Sequence, residues 1–151
     1  MIDAKPLARL LGATFVAVGI FGFIPNPLVS PDGIFAVNTM HNMVHIVTGI
    51  GFVAGSVAGK SRMTLLGIGV AYVVVAIVGF ITPGDMLLGM IHINEADRWL
   101  HAGLAVAILF AIAAAAAEQT LEEAGLAHGA AIAVVARTGA ERLVIGAPGA
   151  Q

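Results

Sequence analysis

Four long apolar stretches, each ended by polar or charged residues, occupy most of the first 117 positions. They run over residues 10–24, 43–58, 63–81 and 99–117. A helix that crosses the hydrocarbon core of a bilayer needs about 20 mostly apolar residues. The first two stretches are short by that count. They reach span length if residues 6–9 and 38–42 belong to the helical ends. Arg9 is tolerable there, because long basic side chains reach back to the headgroups. The pattern predicts an all-α integral membrane four-helix bundle over residues 1–117, embedded in a lipid bilayer.

The basic residues orient these spans, since cytoplasmic loops carry the excess of Lys and Arg. Lys5 and Arg9 precede the first span, and Lys60 and Arg62 separate the second from the third. The connections 25–37 and 82–97 contain no basic residue, and Arg98 follows the second of them directly. This distribution predicts both termini in the cytoplasm and places the chain in a cytoplasmic (inner) membrane. A cleaved signal peptide is the other reading of the first stretch. Phe23-Ile24-Pro25 lacks the small-residue cleavage pattern such a segment needs.

A second regularity lies across the spans. The chain matches itself at an offset of about 56 positions, which is the mark of an internal repeat. Pro27 matches Pro83, Gly33 matches Gly89, Asn38 matches Asn94 and His45 matches His101. Upstream, Gly22-Phe23-Ile24 returns as Gly79-Phe80-Ile81, and Phe15 pairs with Tyr72, once one residue is gapped in the loop. The repeated unit is helix, loop, helix, over roughly 7–60 and 63–117. Two spans per unit make the copies parallel, related by an axis along the membrane normal. Equivalent residues then lie at equal depth.

Small residues let helix backbones approach in lipid. Gly51, Gly55 and Gly59 recur every four positions in the second span, and Gly103, Ala107, Ala111 and Ala115 in the fourth. These stripes are expected to face other helices of the bundle. A face for another protein is the alternative. After Ala117 the character changes: Glu118, Glu122 and Glu123 mark an exit into water, and Gly125 is an expected helix stop. The remainder, 118–151, forms a cytoplasmic tail. Its apolar runs at 131–136 and 143–145 are too short to span. They suit a loose hairpin or a tail docked on a neighbour.

Composition sharpens this picture by exclusion. Hydrophobic residues make up 59% and charged residues 11%, with mean hydropathy +0.98, far from a soluble domain. The net charge is −2 and no basic run exists, so nucleic acid is not an expected partner. With no cysteine there are no disulfides, thiolate metal sites or cysteine nucleophiles.

The remaining candidate chemistry gathers at one end. His41, Asn42 and His45 open the second span; Asn94, Glu95, Asp97 and His101 open the fourth. Residues four apart share a helix face, so His41 pairs with His45 and Asp97 with His101. The repeat aligns the two pairs at one depth. Three readings follow. The first is structural: Asn38 and Asn94 cap the helices, Asp97 suits the helix dipole, and a histidine bonds an aspartate across the bundle. The second is a metal site, with three imidazoles and a carboxylate suited to zinc or copper. The third is haem, with His45 and His101 as axial ligands. Ser30, Ser56 and Ser61 have no convincing catalytic partner, and no phosphate-binding motif appears. An enzyme is therefore not expected.

The segment His41-Asn42-Met43-Val44-His45-Ile46-Val47-Thr48-Gly49, with Asp97-Arg98-Trp99-Leu100-His101, resembles the helix-two and helix-four signatures of a family of small bacterial four-helix membrane proteins, the domain of unknown function numbered 4383. The resemblance covers residues 6–117 and implies four helices with a polar motif on the second and fourth. It implies no activity. Small size, small-residue faces and a semi-apolar tail favour a non-catalytic accessory or structural subunit of a larger membrane complex, of which a bioenergetic complex is one kind, with other membrane-protein subunits as partners. The alternative is a metal- or haem-binding membrane protein that uses His41, His45, Asp97 and His101.

Overall fold

A computed structural model describes residues 4–123, with the side chains of a few residues near its end left aside. Four helices make up nearly all of it: α1 (Ala4–Phe21), α2 (Thr39–Val57), α3 (Ser61–Ile81) and α4 (Glu95–Glu123). Each contains a segment long and apolar enough to cross a membrane. Lipid offers no partners for backbone groups, so a spanning segment closes its hydrogen bonds on itself as a helix. The outward faces are apolar, with Val47, Ile50, Val70, Val74, Val106 and Phe110 all exposed. This is a multi-pass membrane protein.

Helix starts differ from the apolar stretches by several residues, because polar first turns belong to the helices. α1 includes Lys5 and Arg9, α2 includes His41 and Asn42, and α4 begins at Glu95 rather than Trp99. α4 also continues through Glu118 and Glu122 to Glu123, past the exit expected at Ala117. Compact packing divides the chain into Met1–Ala114 and Ala115–Gln151. The expectations for 124–151 lie outside the described residues.

The loops are not plain coil. Between α1 and α2, β1 (Val29–Ser30) pairs in parallel with β2 (Phe35–Ala36). Between α3 and α4, β3 (Met86–Leu87) pairs antiparallel with β4 (Ile91–His92). Leu88 and Gly89 turn that hairpin at φ 53° and 73°, and Met90 N donates to Leu87 O at 3.1 Å. Two successive positive φ values suit the right-handed twist of a hairpin. The two loops hold each other. Asn38 Nδ2 donates to Met90 O and Asn94 Nδ2 donates to Ile34 O, each at 2.8 Å.

The core of the bundle joins Phe15, Phe52, Leu65, Tyr72, Ala105 and Ile108. Phe15 packs edge-on against Phe52 and Tyr72, at ring separations of 5.6 and 5.5 Å. α1 packs most extensively on α2. Gly12, Gly19 and Gly49 allow this, because a Cβ on any of them would stand within 3 Å of a backbone oxygen of the other helix.

The stripes read from sequence are placed differently. A Cβ on Gly51 would meet only Ile68 Cδ1, at 3.9 Å, whereas one on Gly55 would collide with Thr64. Gly59 lies beyond the end of α2 and does not pack. At φ 70° it closes the helix, with its N–H donating to Ser56 O and Lys60 N–H to Gly55 O. Gly103 has nothing within 4 Å of a Cβ position, and Ala107 is exposed. The buried face of α4 carries Asp97, His101, Ala105 and Ile108 instead. In a helix apolar on every side, small-residue spacing alone does not say which side is covered.

At the turn between α2 and α3, Arg9 Nε donates to the buried Ser56 Oγ at 3.1 Å. At the opposite, loop end, Arg98 lies 3.3 Å from Glu95 and 3.8 Å from Asp85. Trp99 Nε1 donates to Glu95 at 2.8 Å.

Candidate metal centre at the loop end

The site is built on two capped helix starts. Asn38 Oδ1 accepts from His41 N at 2.9 Å, which satisfies a free donor of the first α2 turn. Asn94 Oδ1 accepts from Asp97 N at 3.0 Å, and Asp97 Oδ2 accepts from Asn94 N at 3.1 Å. The second pair is a reciprocal capping box with aspartate in the usual glutamate place. These caps set where the next side chains point. His41 and His45 follow on one face of α2, with rings stacked 4.7 Å apart. His101 comes from α4, one turn below Asp97. Its ring lies 5.7 Å from that of His41 and 6.4 Å from that of His45.

The three imidazoles converge. One ring nitrogen from each lies within 4.8 Å of the others, and all three residues are buried, at 2%, 8% and 6% exposure. Nitrogens bound tetrahedrally at about 2.0 Å from one ion stand about 3.3 Å apart. Side-chain rotations of modest size close that difference.

Two details concern the imidazole nitrogens. His41 Nδ1 lies 2.7 Å from the His92 carbonyl oxygen. A carbonyl can only accept, so Nδ1 carries the proton and Nε2 keeps a free lone pair. A backbone carbonyl that orients an imidazole in this way is the usual outer partner of a metal-bound histidine. His45 Nδ1 is buried and, among the described residues, has no hydrogen-bond partner. An unpaired buried donor or acceptor costs about 1–3 kcal/mol.

Asp97 stands outside the trio. Its carboxylate accepts from the Asn94 and Ala36 backbone N–H groups, and it interacts electrostatically with His41 and His92. It is a buried neighbouring carboxyl group, 2% exposed, rather than a fourth converging ligand. The reason is local: within a capping box the carboxylate turns back to its own helix end.

The trio opens on a cavity of about 200 Å³. Val44, Ile68, Val75, Leu87 and Ile93 make its wall largely apolar. The polar exceptions are Thr48 and Tyr72, which hydrogen-bond to each other. Phe15 closes another side against His45, with ring centroids 5.4 Å apart. Drug-sized ligands occupy sites of about 300 Å³ and upward, and a porphyrin is at least that large. His41 also completes a tight triangle with the two proposed axial histidines, inside the footprint of a macrocycle placed between them. The residues present do not fit haem.

Two contributors escaped the sequence reading, and a third residue, Asn42, was read only as part of the polar opening of α2. His92 acts through a backbone carbonyl, which leaves no side-chain signal. Tyr72 was visible as the repeat partner of Phe15, but its place beside His101, at a ring separation of 5.5 Å, was not. Asn42, 2% exposed with an unpaired Oδ1, packs directly on Gly22.

No curated protein and no solved structure matches this chain. One family does, described as a domain of unknown function (DUF4383), over residues 5–115. That match spans all of α2 and α3 and the whole histidine trio, and the chain belongs to this family.

Proposed function

We propose that this is a non-catalytic integral membrane protein that binds a transition metal through His41, His45 and His101. The observation that carries the reading is the convergence of three buried imidazoles from two helices, one oriented by a backbone carbonyl and one with an unpartnered nitrogen. A purely structural clasp has no use for that nitrogen. Zinc and copper both accept imidazole.

The charge pattern puts the site at the outer side of an inner membrane, with both termini in the cytoplasm. The reciprocal bonds Asn38 to Met90 and Asn94 to Ile34 support a chain built of two parallel copies. At the offset of 56, Asn38 corresponds to Asn94 and Ile34 to Met90, so each bond is the other's counterpart across the repeat.

The test is metal content of the purified protein by elemental mass spectrometry. The native chain is expected to hold one ion, and the double variant His45→Ala, His101→Ala none. A double variant that keeps a full complement of metal overturns the site. A clasp without metal instead predicts lower thermal stability in the variant, whether metal is added or withheld.

A role as accessory subunit is the second reading, and the two are compatible. The exposed α4 face favours it, because Gly103, Val106, Ala107 and Phe110 are all exposed there and, among the described residues, nothing comes within 4 Å of a Cβ position on Gly103. Native-gel separation of gently solubilised membranes checks it. Comigration at fixed stoichiometry with a larger complex is the expected result, and migration as an isolated chain removes this reading.

A further inference from the structure

The geometry points to monovalent copper as the ion this trio selects, an inference that rests on the metal-binding reading above. Charge is the first argument. The cost of burying an ion grows with the square of its charge, and it is large in an apolar interior. The trio offers neutral imidazoles only, and its walls are Phe15, Val44, Ile68, Val75, Leu87 and Ile93. Asp97 contributes at most one negative charge beside His41. Among neutral ligands and apolar walls a monovalent ion therefore costs less to bury than a divalent one.

Coordination number is the second argument. Zinc takes four ligands, or three and a water. Here the side left open by the three histidines is the apolar cavity. A buried water needs two to four polar partners, and beyond the histidines this wall offers only the Thr48 and Tyr72 hydroxyls, which share one hydrogen bond between them. Copper(I) is satisfied by three ligands in a plane and needs no water.

Softness is the third argument. Four of the chain's six methionines sit at this same end. Met40 and Met43 flank His41 on α2, and Met86 and Met90 lie in the loop that carries His92. All four are about half exposed. Thioethers are soft ligands that favour copper(I) over zinc. They would offer an incoming copper(I) ion a soft, exposed rim at this end of the bundle, outside the cavity of the trio, whose lining includes none of them.

The experiment uses the full chain in detergent, under anaerobic reducing conditions. Copper(I) is titrated against a chromophoric copper(I) chelator, and zinc(II) against a chromophoric zinc chelator. One copper(I) per chain is expected, held at least about 100-fold more tightly than zinc(II). X-ray absorption on the copper-loaded native protein should show a three-coordinate ion with only nitrogen neighbours, at about 2.0 Å. This measurement needs no variant and so does not depend on a variant folding. Zinc held as tightly as copper(I) overturns the inference and leaves the trio standing as a metal site. A sulfur shell around the copper also overturns it, by moving the ion to the methionine rim. If neither metal binds, the metal-binding reading fails together with the inference.

Discussion

Replacing Gly49 with leucine is expected to break the α1–α2 pair and to cost about 3 kcal/mol or more, the upper end of what overpacking a close contact costs. At this position even a Cβ would stand 2.7 Å from Gly12 O and 2.8 Å from Val16 N. Those atoms belong to the α1 backbone, so no rotamer change relieves the contact and the helix itself must move. Moving α1 withdraws Phe15 from His45, Phe52 and Tyr72, and with it the centre of the core. The measurement is reversible unfolding in mixed micelles with increasing SDS, followed by circular dichroism. Gly51→Ala is the control, because its Cβ would meet only Ile68 Cδ1 at 3.9 Å. It should change stability by no more than about 0.5 kcal/mol, as a substitution away from any close contact does. Equal losses in the two variants would mean that α1 and α2 do not approach through Gly12 and Gly49.

That contrast shows what the sequence carries and what it does not. Apolar length is set by bilayer thickness and by the need to close backbone hydrogen bonds, so four helices are legible from hydropathy alone. The covered face of each helix is not. In a soluble helix the apolar stripe marks the buried side, but in these helices lipid and protein sides are both apolar. A four-residue glycine spacing therefore singled out Gly51, Gly55 and Gly59, of which only Gly55 is crowded, against Thr64, while Gly51 is nearly open and Gly59 ends the helix. The contacts that matter run from Gly12 to Gly49 and from Gly19 to Asn42 and Ile46, across two helices, on buried stripes of mixed residues (Ala8, Gly12, Phe15 and Gly19; His45, Gly49, Phe52 and Ser56) that no single residue type picks out. The histidines were legible for a different reason. A polar group inside a span is costly wherever it points, so His41, His45 and His101 stood out without knowledge of any face. The role of Asp97 was not legible, because its partners are backbone N–H groups of Asn94 and Ala36, and backbone atoms are the same in every sequence.

Asn38 and Asn94 carry the second large effect, and each does two things at once. Oδ1 caps its own helix, by accepting from His41 N or Asp97 N. Nδ2 ties the opposite loop, by donating to Met90 O or Ile34 O. Loss of a cap costs about 1 kcal/mol, and loss of a further hydrogen bond about 1 kcal/mol. Asn38→Ala and Asn94→Ala should each destabilise the bundle by about 2 kcal/mol, and the double variant by about 4 kcal/mol if the two act independently. Asn38→Asp separates the functions, since a carboxylate keeps the acceptor and loses the donor. It should cost about half as much as Asn38→Ala. The consequences reach the histidines unequally. Met90 belongs to the loop whose His92 carbonyl orients His41, so Asn38→Ala should also weaken metal retention, whereas Asn94→Ala acts on the loop between α1 and α2. If the halves are structural copies, the two alanine variants should agree in stability to within about 0.5 kcal/mol. A gap above about 1.5 kcal/mol, read from the same SDS titrations, would show that the two loops are held by different means and that the repeat in the sequence is not a repeat in how the bundle is fastened.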